Sequence, residues 1–194
     1  MYIQTSQQPK RSLPDRFIDK HFHSHPELSF QEEETAASIV KHLEKLNAYE
    51  IHPRIGGHGV AAVLANGPGI TILLRADIDG LPVEEKSGVP FASTARMRDF
   101  EGVEKPAMHA CGHDVHITSL LAAAETLVRA KEWWSGTLIL CFQPAEERGA
   151  GAKAMVEDGL YSKVPEPDVV VGGHVTPLRA GMTLGCLGFM PYLG

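Results

Sequence analysis

The amino-acid sequence predicts an α/β layered domain, with helices covering a sheet. Three observations carry that expectation. The short apolar runs "GVAAVLANG", "ITILLRADIDGLP", "GTLILCFQPAEE" and "PDVVVGGHV" read as strands, and helical patterns fall among them. "ITILLRA" is apolar on both alternating faces, as in a central strand covered from two sides. The residues able to do chemistry follow these strands or open a helix, and do not scatter along the chain.

Taken in order, residues 1–12 are polar and read as a loose leader. From Leu13 to about Leu46 the pattern is helical. "HPELSFQEEETAASIVKHLEKL" offers Ser29 as N-cap, acidic residues in a first turn, and Ala36, Ile39, Val40 and Leu43 at helical spacing. The next two strands are joined by the turn "NGPG". A helix spans 113–131, a buried strand follows, and "GAGAKAMVEDGL" is a short helix ended by Gly159 before the last strand.

Bulk properties narrow the function. The 194 residues are 43% hydrophobic and 22% charged, ordinary for a soluble globular chain with a real core. A formal net charge of -6 offers no footprint for nucleic acid or an anionic membrane. No apolar run reaches the roughly 20 residues that span a bilayer, and the N-terminus has no apolar signal core. Three cysteines do not make a disulfide framework. These features point to a cytoplasmic protein.

The reactive residues converge on one sheet edge. Asp77 and Asp79 follow "ITILLRA", Glu146 and Glu147 follow "GTLILCFQPA", and His174 follows "PDVVVGG". His109, Cys111, His113, Asp114 and His116 sit at the start of a helix. Ligands of open α/β sheets bind beyond the carboxyl ends of strands, where helix N-termini also point. Each residue alone has a plainer explanation. His174 could be a hydrogen-bonded structural residue, the paired Glu a solvated loop, Cys111 a small buried apolar group, and Asp114 a helix-terminal acid. His23, His25, His42, His52 and His58 have only such plain readings. Their joint placement nevertheless predicts a metal site.

Cysteine, imidazole and carboxylate together suit Zn²⁺, Mn²⁺, Co²⁺ or Ni²⁺ and suit Ca²⁺ or Mg²⁺ poorly. The paired spacings of a closed structural zinc site are missing. A mixed set with a spare Glu fits hydrolysis, in which a metal acidifies a bound water and a neighbouring carboxylate takes its proton. In "PAEE", an extended backbone would turn one Glu to the metal and the other to the water.

"RADIDGLPVEE", "MHACGHDVHITSLL", "LILCFQPAEERGAGAKAMVEDG" and "GGHVTP" resemble the amidohydrolase branch of the aminoacylase and carboxypeptidase-like dinuclear metallopeptidases. That branch includes hippurate hydrolases, N-acyl-amino-acid amidohydrolases and auxin-amino-acid conjugate hydrolases. The resemblance covers residues 13–185 and implies a three-layer helix–sheet–helix catalytic domain of the zinc-exopeptidase type. It implies Cys111, His113, Glu147 and His174 as metal ligands and Glu146 as general base. Asp77 takes the place of the Asp that orients a ligand. Arg75 stands where more distant relatives have a ligating His, as is usual in this branch. His109, Asp114 and His116 are assigned to supporting roles. Two divalent ions, Mn²⁺, Zn²⁺ or Co²⁺, and a small N-acyl amino acid substrate are implied, with no nucleic acid or membrane partner and with homo-oligomeric full-length relatives.

Members of that family continue into a lid domain and return with one more metal-binding His. This chain stops at Gly194, so it is expected to be an N-terminal portion, incomplete at the C-terminus, with residues 186–194 beginning the lid. An exposed apolar patch and marginal stability or association are expected. Metal-dependent amide hydrolysis is the leading expectation. The alternative is a non-catalytic metal-binding fragment of the same family, and a small unrelated metal-binding protein is disfavoured because it leaves the second Glu of "PAEE" unexplained.

Overall fold

A computed structural model describes residues 20–179. The 1–12 leader, the start of the helical pattern at Leu13 and the 186–194 tail lie outside the described residues. Among those described, seven strands and four helices are β1 (Glu50–Ile55), β2 (Gly59–Asn66), β3 (Thr71–Asp77), β4 (Arg96–Arg98), β5 (Glu104–Pro106), β6 (Gly136–Gln143) and β7 (Val169–Gly172), with α1 (Glu33–Leu46), α2 (His113–Arg129), α3 (Gly151–Glu157) and α4 (Leu160–Lys163). A further helical stretch covers residues 20–24.

The main sheet has the order β1-β2-β6-β3-β7, while β4 and β5 form a separate two-stranded ribbon. β1 pairs with β2 and β2 with β6 in antiparallel fashion; β6 pairs with β3 and β3 with β7 in parallel. The period-2 alternation of β6 explains the layering. Leu138, Leu140 and Phe142 pack with Ile39 and Leu43 of α1 and Ile117, Leu121 and Ala124 of α2. Ile139 and Cys141 point the other way, into a core with Leu73, Met155 of α3 and Leu160 of α4. Helices therefore cover both faces, as the apolar strand pattern requires.

Several local expectations change. Ser29 does not cap α1. Its Oγ donates instead to Asp79 Oδ2 at 2.7 Å. The helix begins four residues later, and Glu27 supplies the cap from outside by accepting from Glu34 N–H (3.1 Å) and Thr35 N–H (2.7 Å). The helical pattern is accordingly interrupted at residues 25–32. The "NGPG" turn does join β2 to β3, but the two strands do not pair, because β6 lies between them. α2 ends at Arg129, and a 3₁₀ turn over Lys131–Trp133 follows. β1 carries Pro53 and a bulge on the sheet edge, where a missing N–H is tolerated.

β7 pairs with β3 on one side only among the described residues, and Val169, Val170 and Val171 are exposed, Val170 at 61%. No helix of the described residues is long and apolar enough to cross a membrane.

Glu32 is the most unusual core residue. It sits in the acidic run "QEEE" yet is 0% exposed. Its Oε1 accepts from Phe30 N–H at 2.9 Å and from Ala145 N–H at 2.8 Å. Burial pushes its carboxyl up to about 7, against those two backbone donors and with the charge of Asp79 adding to the rise.

This packing can be tested by substitution and by pH. Ile139→Val removes one methyl group from a fully buried site and should lower the unfolding free energy by about 1 kcal/mol in urea titration. Val170→Thr, on the exposed strand, should change it by no more than about 0.5 kcal/mol. For Glu32, the folded-state value lies above the ordinary 4.5, so its contribution to stability is complete below pH 4.5 and is lost as pH rises through about 7. Urea titrations across that window should show Glu32→Gln with a flatter decline than wild type. The difference in slope should reach at most about 1.4 kcal/mol per pH unit, and identical slopes would show that Glu32 keeps an ordinary value.

Candidate metal centre

Because β3, β6 and β7 are parallel, their carboxyl ends lie on one edge. Asp77 closes β3 opposite Gln143, the last residue of β6, and Arg75 is level with Gly172. Asp77 and Asp79, Glu146 and Glu147, and His174 are delivered there, and α2 brings His113 in its first turn. Gly112 precedes α2 at φ 80°, a left-handed conformation suited to glycine. A Cβ at that position would lie 2.5 Å from Val175 Cγ2, so any other residue would have to displace the Val175 side chain.

His113 is 0% exposed. Its Nδ1–H donates to the backbone carbonyl of Asp79 at 2.8 Å, which leaves the Nε2 lone pair free. Nε2 is buried without a hydrogen-bond partner, and so is Glu147 Oε1, 3.8 Å away. Glu146 Oε2 is also 3.8 Å from Nε2. The two Glu therefore converge on one imidazole. They do so because residues 146–149 form a turn after Ala145, which has φ 47°, and not because an extended backbone splays them. The turn is closed by Gly151, where a Cβ would fall 1.5 Å from the carbonyl oxygen of Pro144.

Donor atoms of Cys111, His113 and Glu147 lie within 4.8 Å of one another, as do those of Asp77, His113, His116 and His174. His174 links the two groups. Its Nδ1–H donates to the carbonyl of Val175 at 2.5 Å, and its Nε2 faces Cys111 Sγ at 3.4 Å. All four sequence-predicted ligands thus meet, and the predicted base stands beside them. His116 comes closer to the centre than a remote support. Its Nδ1–H donates to Asp77 Oδ1 at 2.5 Å, and its Nε2 accepts from Val175 N–H at 2.9 Å, so both ring nitrogens are engaged.

Asp77 also faces Arg75 Nη1 at 2.9 Å, and Arg75 Nε donates to Gln143 Oε1. Burial would raise the Asp77 carboxyl. The His116 hydrogen bond and the nearby His113 and Arg75 outweigh it and hold the group down at about 2. Burial likewise raises Cys111, and the carboxylates of Glu147, Glu146 and Asp77 push its thiol further in the same direction. Glu147 is raised by burial and by Asp79 and Glu146, against His113. Carboxylates packed this closely around imidazoles form an environment suited to a cation, and against its burial His113 is raised by Asp79, Asp77 and Glu147. The orphaned Nε2 and Oε1, beside a thiol, are the donor set such an ion takes up.

Three contributors have roles that the sequence does not mark. Asp79 stands at a strand end with no role marked for it, yet its carbonyl orients His113 and its Oδ2 accepts from Ser29 Oγ and from Glu147 N–H (3.0 Å). Glu32 holds Ala145. His23, with only a plain reading in the sequence, bridges Asp114 Oδ2 (2.7 Å) and Glu85 Oε1 (3.0 Å) behind the first turn of α2. Only spatial proximity reveals these pairings, because their partners lie 34 to 113 residues away. His109 is buried, and burial holds it down at about 4. Beside Glu147 opens a recess of about 260 Å³ lined in part by Leu28, Leu81, Pro82 and Phe100, with the Arg148 guanidinium 4.2 Å from the Phe100 ring centre.

Known proteins are similar to this chain in sequence and in fold. The chain is 44% identical over 169 residues to the N-acetyl-L-cysteine deacetylase of Bacillus subtilis, matching 87% of this chain and 38% of that protein. It is also 44% identical to the hippurate hydrolase of Campylobacter jejuni, over 82% of this chain and 39% of the relative. The crystal structure of Bacillus subtilis YxeP, a dinuclear metal-binding peptidase, superposes with a TM-score of 0.73 at 37% identity, covering 84% of this chain and 43% of that one. The chain thus spans about 40% of the length of the relatives it matches. The model of peptidase family M20/M25/M40 matches residues 73–186, which include both strand-end carboxylate pairs, the Cys111–His116 segment and His174. By that match, the shared layered fold and the converging donors, the chain belongs to the M20/M25/M40 peptidase family, among its metal-dependent amidohydrolases.

Proposed function

We propose that this chain carries the metal-binding part of a site that hydrolyses the amide bond of N-acyl amino acids. The observation that supports this most is the unpartnered, buried Nε2 of His113, with Glu147 and Glu146 oxygens 3.8 Å away on the same turn. Cys111, His113, Glu147 and His174 would hold divalent ions, Mn²⁺, Zn²⁺ or Co²⁺, two per complete site. Such an ion supplies Lewis acidity and a water of lowered pKa.

The chain's own groups do the rest. Glu146 is the more exposed of the two acids, so its Oε2 can take a proton from the attacking water and return it to the leaving amine. Asp79 holds both His113 and the Glu147 backbone in place. Asp77 keeps His116 oriented against the His174–Val175 segment. The recess beside Glu147 offers apolar walls to an acyl group. A non-catalytic, metal-binding role is the second reading.

Elemental analysis of the purified 194-residue chain, with hippurate hydrolysis assayed in added Mn²⁺, Co²⁺ or Zn²⁺, separates the two. Hydrolysis that falls by at least about 100-fold in Glu146→Gln, with metal content unchanged, is the expected result for a general base. Bound metal without turnover supports the second reading. Absence of both overturns the assignment of the donor set.

A further inference from the structure

We infer that Glu32 is a positioning residue for the proposed centre: through Ala145 it holds the Glu146–Glu147 turn in the conformation that presents both carboxylates to His113. This rests on the metal-binding reading of Glu147 and adds to it a residue that no part of the motif pattern contains.

Three observations lead there. The first is burial away from the donor clusters. Glu32 is 0% exposed, it lies at the start of α1, and no donor of the two metal clusters belongs to its segment. The second is its pair of partners. One carboxylate oxygen accepts from Phe30 N–H and Ala145 N–H together, and these residues adopt the left-handed backbone at φ 62° and 47°. Left-handed backbone is uncommon for side chains other than glycine, asparagine and aspartate, and it persists where surrounding contacts over-determine it. Glu32 clasps two such residues, distant along the chain, with one atom.

The third observation is the closure of the turn on Ala145 itself. The Ala145 carbonyl accepts from Ala150 and Gly151 N–H, and the Glu146 carbonyl accepts from Gly149 N–H at 2.7 Å, so the turn folds back onto the clasped residue. Glu147 N–H then reaches Asp79 Oδ2, which fixes the far side. The turn has two carboxylate anchors, Glu32 before Glu146 and Asp79 at Glu147. Releasing the first would let Ala145 relax toward an ordinary right-handed or extended backbone. Glu146 and Glu147 would then swing as a unit away from Nε2. The buried carboxyl is retained, despite the unfavourable burial that raises its pKa, because the turn needs an acceptor at that point.

The test uses the whole chain and two readouts. Co²⁺ titration followed by absorbance reports the affinity of the thiolate-containing site. Amide hydrogen exchange of residues 144–151 in metal-free protein reports the turn itself. Glu32→Asp keeps the carboxyl but retracts the oxygen by one methylene. It should weaken Co²⁺ binding at least tenfold and speed exchange of the turn at least tenfold. Glu32→Gln keeps an accepting oxygen at the same reach and should stay within threefold of wild type in both. Ile39→Val trims the core face of the same helix and should also stay within threefold. Wild-type behaviour of Glu32→Asp overturns the inference, as does a Glu32→Gln protein as loose as Glu32→Asp, or an Ile39→Val protein that loses as much affinity. Should wild type bind no Co²⁺, the metal reading fails, and the exchange comparison alone decides whether Glu32 holds the turn.

Discussion

The structure depends on one buried imidazole held by one aspartate. His113 enters the interior at the start of α2, where an unpaired ring nitrogen is expensive. Asp79 satisfies Nδ1 through its backbone carbonyl, and through its carboxylate it takes the hydroxyl of Ser29 and the N–H of Glu147. A single residue thus ties together the segment before α1, the end of β3, the start of α2 and the turn after β6. Neighbouring Gly80 donates to the carbonyl of Glu27 at 2.7 Å and strengthens the same junction. These four segments are far apart in sequence, so the site can form only when the sheet has brought its strand ends level.

That dependence explains which features are legible in the sequence. β2, β3 and β6 are readable because a strand buried on both faces is apolar throughout, and α2 because its apolar face continues for several turns. β1 is hidden by Pro53, which an edge strand tolerates and a sequence pattern counts against. β4 and β5 have three residues each, too few to show a period. The pairing order is beyond reach for another reason. Nothing in "NGPG" says that a strand from much later in the chain will slip between the two strands it joins.

The candidate site is legible in its ligands and opaque in its scaffolding. Cys111, His113, Glu146, Glu147 and His174 are residue types that stand out at strand ends and helix starts. Glu32, Ser29 and His23 belong to polar stretches that look solvated, and their roles exist only across distances of 50 to 113 residues. Ser29 shows the ambiguity plainly. A serine shortly before an acidic, apolar-periodic run has the composition of an N-cap, but here its hydroxyl is drawn to Asp79 while Glu27 caps the helix. Local chemistry permitted both outcomes, and the buried carboxylate, with fewer alternatives for satisfaction, won.

The same logic explains why so much acid collects where burial disfavours it. Asp77, Asp79 and Glu147 are largely withdrawn from water, and each carboxylate raises the difficulty of ionising the next. Against this burial, Asp77 and Asp79 are matched by the protein's own groups: the His116 hydrogen bond, His113 and the Arg75 guanidinium hold Asp77 down, and His113, Ser29 and the Glu147 N–H hold Asp79 down. Glu147 and Cys111 have no such match: both are shifted toward their protonated forms, and the donor atom that faces them, His113 Nε2, is left as a lone pair by its bond to Asp79. A fold selected for stability alone would replace such a group with apolar residues of similar volume. Its persistence at the convergent ends of three parallel strands, with Glu32 and Asp79 anchoring the turn that completes it, argues for a centre whose missing positive charge comes from a bound ion rather than from another side chain.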